Sequence, residues 1–309
     1  MSTHTIVVPT YNRPDDLERC LASIAEQTLL PDELLVIDDG DLPALPHRER
    51  LEQLGIRCEL RKKPQNEKGL TRSRNLGVEL ASGDIIHFFD DDITLEPDYI
   101  EQMDRTFLTC GDPNLGGVGG IDLLIPAPTT ATYLEYFYNR LFLLTPRRPG
   151  SISISGFSEL QPARRCFPAK KLTRVDMLNG IFSFRREVFE QFRFGEHYTD
   201  RYCRGEDKEF TLRVSQTFSL YLQPAARCKH HHSAVERLDR FGRGKHLVLA
   251  AHALSGDTRR SQALFFYAWS GYLLKRLLAA CVKRDAEEFQ RVRGILAAGK
   301  QALRHRQQH

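Results

Sequence analysis

The first third of the chain alternates short apolar runs with stretches whose apolar residues recur at helical spacing. Ile6-Val7-Val8 is an uninterrupted apolar run, and in residues 15–29 the positions Leu17, Cys20, Leu21 and Ile24 share one helical face. Leu34-Leu35-Val36-Ile37 is a second run, residues 56–60 a third and Ile85-Ile86-His87-Phe88-Phe89 a fourth, with a helix predicted over 71–81. Runs apolar at every position, rather than every second one, belong to strands buried on both faces. The pattern therefore predicts βαβ units around a buried sheet of mostly parallel strands.

Farther along, Gly116-Gly117-Val118-Gly119-Gly120 and the proline-bearing segments 125–128 and 145–149 read as breaks between elements. Residues 133–144 are aromatic-rich and predicted helical. A loop carrying Arg164, Arg165, Lys170 and Lys171 leads into strand-like residues 175–184 and a short helix over 186–192. A strand over 219–222 is followed by a turn at Pro224 and by His230-His231-His232, after which the chain reads as helical to its end. Residues 263–282 are apolar but include Lys275 and Arg276, whereas a membrane span needs about 20 uninterrupted apolar residues. A packed or interfacial helix is expected there.

Composition narrows the picture: 309 residues with 41% hydrophobic and 27% charged residues exclude disordered and collagen-like chains. The first ten residues have neither a basic segment nor a long apolar core, so no secretory signal is expected and the cytoplasm is the default compartment. The seven cysteines are scattered without a close pair, which predicts reduced packing residues rather than a zinc knuckle or disulfide framework. From Glu236 onward there are 15 Lys and Arg against 6 Asp and Glu, and before it 29 against 34. A basic tail of this kind suits either solvated helix faces or an anionic surface such as a membrane leaflet.

The polar residues with chemical potential cluster where strands end, which in parallel sheets is where ligands sit. Asp90, Asp91 and Asp92 follow the fourth run, and such a group of like charges calls for a cation, Mg²⁺ or Mn²⁺, shared with substrate phosphates. Asp38-Asp39-Gly40 repeats the theme, with turn chemistry as its bland alternative. Gly205-Glu206-Asp207 offers a carboxylate able to take a proton from a hydroxyl, although acidic residues also favour helix N-termini. In an extended segment His230 and His232 would share a face, either one able to complete a carboxylate-bound metal site.

Taken in order, Val7-Val8-Pro9-Thr10-Tyr11-Asn12-Arg13, Val36-Ile37-Asp38-Asp39-Gly40, Gly69-Leu70-Thr71-Arg72-Ser73-Arg74-Asn75, Phe89-Asp90-Asp91-Asp92, Asn179-Gly180 and Gly205-Glu206-Asp207 resemble the family 2 glycosyltransferases from residue 5 to about residue 235. The resemblance implies a GT-A-type, Rossmann-like αβα sandwich with a mostly parallel central sheet, followed by a C-terminal helical extension. It divides the chain into a transferase domain over 1–235, with a nucleotide-sugar half to about 125 and an acceptor half over 126–235, and a basic helical region over 236–309. Pro9, Tyr11 and Asp39 would line the base pocket, with Thr10, Arg13 and Arg72 or Arg74 beside the nucleotide. Asp91 would face the ribose, Asp90 would orient its neighbours, and Asp92 would bind a divalent cation, Mg²⁺ or Mn²⁺, with His230 or, failing it, His232. Asp207 would be the base, helped by Glu206, with Asn179 and Gly180 on the acceptor side. Many relatives carry an aspartate where this chain has Ile93.

The implied reaction is inverting transfer from a nucleotide-diphosphate sugar, with UDP the expected carrier, to a hydroxyl of a glycan or lipid-linked acceptor in surface polysaccharide synthesis. Peripheral contact with an anionic membrane through the basic C-terminus is expected, and a nucleic-acid partner is not. A nucleotide-sugar pyrophosphorylase would need a Gly-rich, Arg-bearing loop where Pro9 to Arg13 stand, and a dinucleotide oxidoreductase would need G-x-G-x-x-G there. A non-catalytic sugar-nucleotide scaffold is the remaining alternative, against which the retained acidic motifs speak.

Overall fold

The computed structural model describes residues 2–146, 148, 150–158, 165–166, 168–195, 205–232, 240–255 and 259–306. Arg164, Cys203 and the expected boundary at 235/236 lie outside them. The chain divides into two compact units, Met1–Ile125 with Ala169–Val235, and Pro126–Pro168 with Glu236–His309.

The first unit is built on one sheet. Its strands are β1 (His4–Thr10), β2 (Glu33–Asp38), β3 (Arg57–Lys62), β4 (Ile85–Phe88), β5 (Ile93–Leu95), β6 (Leu115–Asp122), β7 (Thr173–Val175), β8 (Phe182–Arg185) and β9 (Ser219–His230). Their order is β3-β2-β1-β4-β8-β6-β9-β5, with β7 also on β9. The block β3-β2-β1-β4 is parallel throughout, as the apolar runs predict. Beyond β4 the sheet is mixed: β8 is antiparallel to β4 and to β6, while β6 and β9 run parallel.

Alternate side chains of these strands enter two cores. Ile6, Val8, Leu34 and Val36 pack with Leu17, Leu21 and Ile24 of α1 (Pro14–Ile24) and with Tyr99, Ile100 and Met103 of α4 (Tyr99–Thr109). Val7, Leu35, Ile37, Ile86 and Phe88 pack on the other face with Val78 of α3 (Leu70–Leu80), Val188 and Phe189 of α6 (Val188–Gln191), and Phe210 and Val214 of α7 (Glu206–Val214). Burying each such aliphatic side chain is worth on the order of 1.5–3 kcal/mol relative to exposure, which fixes the register of every strand. Between β2 and β3 lies α2 (Arg48–Gln53).

Three expectations change. Residues 116–120 lie within β6 instead of forming a break: a Cβ on Gly117 would fall 2.4 Å from the Phe184 ring and one on Gly120 2.5 Å from the Tyr99 hydroxyl, so the glycines admit aromatic rings against the strand. Residues 175–184 form the ends of two strands, because Gly180 turns the chain at φ +60. Pro224 does not end β9; the strand passes through it to His230 with a register slip against β6 between Gly119 and Ile121.

A polar chain crosses this core. Asp104 Oδ1 lies 3.2 Å from His4 Nε2, His4 Nδ1 is 3.0 Å from His87 Nε2, and His87 Nδ1 is 2.7 Å from Ser183 Oγ. With Asp104 as a fixed acceptor, His4 donates from Nε2 and accepts from His87, which accepts from Ser183, so each ring needs only one proton. Burial lowers the pKa of both rings, far more at His87, with Asp104 opposing the shift at His4. The neutral fold thus binds fewer protons than the unfolded chain below about pH 6.5, and the stability contributed by this pair is present above that value and lost as pH falls. The denaturant midpoint is expected to drop between about pH 7.5 and 5.5, and His87→Gln to flatten that drop. An equal slope in the variant would assign it to other groups.

In the second unit, α5 (Thr130–Leu141), α8 (Arg240–Ser255), α9 (Arg259–Lys283) and α10 (Ala286–Arg306) share a core of Leu144, Phe157, Val248, Phe265, Tyr272 and Ile295. Residues 126–168, expected in an acceptor half, therefore group with the C-terminal helices, because Leu144 and Phe157 are buried there. Among the described residues no helix is long and apolar enough to cross a membrane.

Candidate active site

The carboxyl ends of the four parallel strands carry the residues singled out above. At the end of β2, Asp38 accepts hydrogen bonds from the backbone of Gly40 and Leu42 and so shapes the turn. A Cβ on Gly40 would meet Asn12 Oδ1 at 2.6 Å, so only glycine lets the β1 and β2 loops approach. Asp39 faces α3: it accepts from Gly69 N at 2.6 Å and Ser73 Oγ at 3.0 Å, and Lys63 Nζ lies 3.2 Å away. Lys63 is buried, and that burial lowers its pKa against the pull of Asp39. Sequence reasoning missed Lys63, although its position after β3 obeys the same strand-end rule. Arg72 lies at the surface of α3 and donates to Asn66 O.

At the end of β1, Pro9 and Thr10 are buried within the strand and Tyr11 follows half-buried. Thr10 Oγ1 donates to Asp91 at 2.8 Å and Arg13 Nη1 reaches the other Asp91 oxygen at 2.9 Å. Arg13 stands just ahead of α1, whose Pro14 and first-turn Asp15 and Asp16 favour a helix start. Burial pushes Asp91 up to about 6, against the stabilising influence of Arg13 and Thr10.

Asp92 is 3% exposed, 2.9 Å from His230 Nε2 and 4.0 Å from Arg13. Asp90, Asp92 and His230 each offer a ligand atom within 4.8 Å of the others. The strand extension through Pro224 creates this cluster: β9 pairs antiparallel with β5, matching His230 to Ile93, and Asp122 Oδ1 accepts from His230 N at 3.1 Å. Burial opposes charge on His230, but the bond to Asp92 and the field of Asp90 and Asp92 win, raising its pKa. His232 lies outside the three-residue group, its ring 4.0 Å from that of His230, and His231 bonds Thr94.

Arg74, expected beside the nucleotide, lies instead inside the protein. It is 1% exposed, with its guanidinium 5.4 Å from the ring centroids of both Phe182 and Phe194. One nitrogen reaches Glu206 at 3.1 Å and another Asp90 at 3.3 Å. Asn75 exchanges two 3.0 Å bonds with the Phe194 backbone, locking that ring in place. Burial and the adjacent Asp207 push Glu206 up to about 7, with Arg74 pulling the other way.

Arg74 thus joins the aspartate cluster to the acidic motif, whose Glu206 lies 132 positions after Arg74 in sequence. Gly205, at φ +97, precedes α7, which begins with Glu206 and Asp207. Asp207 is half-buried, its Oδ1 accepting from Lys208 N. Thr211 bonds the Asp207 carbonyl at 2.7 Å and accepts from Leu178 N at 3.2 Å, which ties α7 to the Asn179-Gly180 turn. A Cβ on Gly180 would come 3.4 Å from Asp90 Oδ2, and the buried amide nitrogen of Asn179 has no hydrogen-bond partner among the described residues.

A parallel block with acidic groups at its strand ends, continued by a mixed sheet whose β9 brings in a histidine and by a helix that opens with a second acidic pair, matches the GT-A class of nucleotide-sugar-binding folds. Residues 5–112 match the model "Glycosyl transferase family 2", and the chain carries a family 2 glycosyltransferase domain. It is 36% identical over 103 residues to the putative glycosyltransferase EpsH of Bacillus subtilis, a match spanning 33% of this chain and 29% of that protein. Among solved structures, the Pyrobaculum calidifontis mannosyltransferase PcManGT with GDP-Man and Mn²⁺ aligns with TM-score 0.56 at 17% identity, covering 98% of this chain and 87% of that one. TarS 1–349 of S. aureus with UDP aligns with TM-score 0.52 at 13% identity, covering 96% and 92%.

Proposed function

We propose that this chain transfers a sugar, with inversion, from a nucleotide-diphosphate donor to a hydroxyl of a glycan or lipid-linked acceptor in surface polysaccharide assembly. The observation that carries this reading is the junction at Arg74, through which the Asp90/Asp92/His230 cluster and the Glu206-Asp207 pair lie on one site. Donor binding belongs to the strand ends, with Pro9, Tyr11 and Asp39 at the base, Thr10, Arg13 and Arg72 nearby and Asp91 at the ribose. PcManGT holds GDP-Man and TarS holds UDP in this fold, and UDP is the carrier we assign here.

Two carboxylates and an imidazole make a mixed oxygen and nitrogen donor set that fits a divalent cation, Mn²⁺ more readily than the oxygen-loving Mg²⁺. Bound there, the ion supplies neutralisation of the charge that develops on the departing diphosphate. Arg13 adds a fixed positive charge beside Asp91 and Asp92. Asp207 takes the proton of the acceptor hydroxyl as that oxygen bonds to the anomeric carbon from the face opposite the diphosphate. The carbon–phosphate-oxygen bond breaks in the same displacement, so the centre inverts once. The amide nitrogen of Asn179, without a hydrogen-bond partner among the described residues, supports assigning it to a second acceptor group.

The test measures binding and turnover of a panel of UDP, dTDP and GDP sugars with and without Mn²⁺. One donor is expected to turn over only with metal, and His230→Ala to weaken the metal dependence about tenfold while His232→Ala leaves it in place. Metal-dependent binding without turnover in the presence of polysaccharide acceptors would favour a scaffold, and no metal-dependent binding would remove this reading.

A further inference from the structure

The second unit is strongly basic. Residues 126–168 and 236–309 hold 20 Lys and Arg against 8 Asp and Glu, whereas the rest of the chain holds 24 against 32. Within this unit α5 and α9 run antiparallel. Lys275 Nζ meets Glu135 at 2.7 Å and Asn139 Oδ1 at 3.0 Å, Tyr138 OH donates to Gly271 O at 2.8 Å, and Tyr267 OH donates to Leu141 O at 3.1 Å.

This pair already contributes to a core, yet it leaves a second apolar set outside. On α5, Leu134, Phe137 and Leu141 recur at i, i+3 and i+7 and are 66%, 64% and 65% exposed. On α9, Leu278 and Val282 continue the row of Gly271 and Lys275, the positions that meet α5, and are 53% and 83% exposed. Leu134 lies one turn before Tyr138, so Leu134, Leu278 and Val282 lie toward the first turns of α5 and the last turns of α9, and Phe137 and Leu141 continue the row of Leu134 along α5. Lys283 and Arg284 follow directly and are exposed. The acids of the next helix are already paired: Glu287 with Arg240, and Glu288 with Arg240 and Arg291.

We infer that this face of α5 and α9 docks on an anionic lipid leaflet, with Leu134, Leu278 and Val282 entering the interface and Lys283 and Arg284 meeting the headgroups. Exposed leucines cost free energy in water and gain it at the headgroup boundary, and each nearby Lys or Arg adds about 1 kcal/mol on a negatively charged surface. A second copy of the chain fits the face less well, because two basic units of like sign repel. With no membrane-crossing helix among the described residues, the unit lies on the leaflet rather than through it. This deepens the transferase reading by giving its acceptor a place, a lipid-linked glycan at the same surface.

The experiment is sedimentation of the full chain with phosphatidylcholine vesicles and with vesicles containing added phosphatidylglycerol, at low and high salt. Binding is expected on the anionic vesicles only, weakened by salt. Leu278→Ser with Val282→Asp is expected to cut it at least about tenfold, as is Lys283→Glu with Arg284→Glu, while thermal unfolding and donor binding stay as in the wild type. The inference is overturned if the wild type ignores anionic vesicles at low salt, or if both vesicle types bind alike and charge reversal has no effect. It is also overturned if the apolar double variant merely converts a dimer to a monomer. Vesicle binding needs no donor and donor turnover needs no vesicle, so each reading can fail alone.

Discussion

Asp207→Asn is expected to lower kcat by roughly two to four orders of magnitude while donor affinity stays close to the wild-type value. The carboxamide keeps the size of the side chain and its bond from Lys208 N but cannot take the acceptor proton. Because Asp207 is half-buried at the first turn of a helix held by Thr211, the exchange should cost little stability. Glu206→Gln is the matched control. Glu206 is buried against Arg74, so its loss should alter folding and acceptor placement before proton transfer. If Glu206→Gln alone removed turnover while Asp207→Asn retained it, the two roles would be exchanged.

Arg74→Met is expected to destabilise the first unit by about 3–5 kcal/mol, because it removes the counter-charge of the buried Glu206 carboxylate, which Arg74 shares with the half-buried Asp90. Methionine fills the slot between Phe182 and Phe194, so the loss reports charge rather than a void. Glu206, already raised to about 7, would then favour its protonated form still more strongly. For an acid whose folded pKa lies above its unfolded value, the protonated fold is stable at low pH and that stability is lost as pH rises through the folded pKa. The damage should therefore be greater near pH 8 than near pH 5.5, as read by denaturant titration at both values. An Arg74→Met protein with wild-type stability at pH 8 would mean that the two carboxylates find other partners.

The parallel half of the sheet was legible because runs such as Leu34-Leu35-Val36-Ile37 feed two cores at once, a requirement no surface strand meets. The aspartate cluster was legible for a similar reason, since three adjacent acids at a strand end ask for a cation. Arg74 was not, because nothing local distinguishes an arginine bound for a ligand from one bound for the carboxylates of Glu206 and Asp90; Phe182 and Phe194, which settle the matter, come more than a hundred residues later. The glycines of β6 misled as breaks because their partners, Phe184 and Tyr99, are remote in sequence. Pro224 misled because a proline tolerated at a register slip looks like one that ends a strand.

The strand order has a consequence for how this domain comes into being. β4, which delivers the aspartates, takes its second neighbour from β8, at Phe182–Arg185, and the histidine arrives only with the end of β9. A nascent chain that has emerged only as far as Asp112 would expose β4 as an open edge, with the charges of Asp90 and Asp92 uncompensated by His230 and Arg74 uncompensated by Glu206. Synthesis of β8 closes that edge, and only the end of β9 then brings His230 to the cluster. In this chain, protection of the open edge and completion of the acidic cluster are therefore acquired in succession, the cluster last.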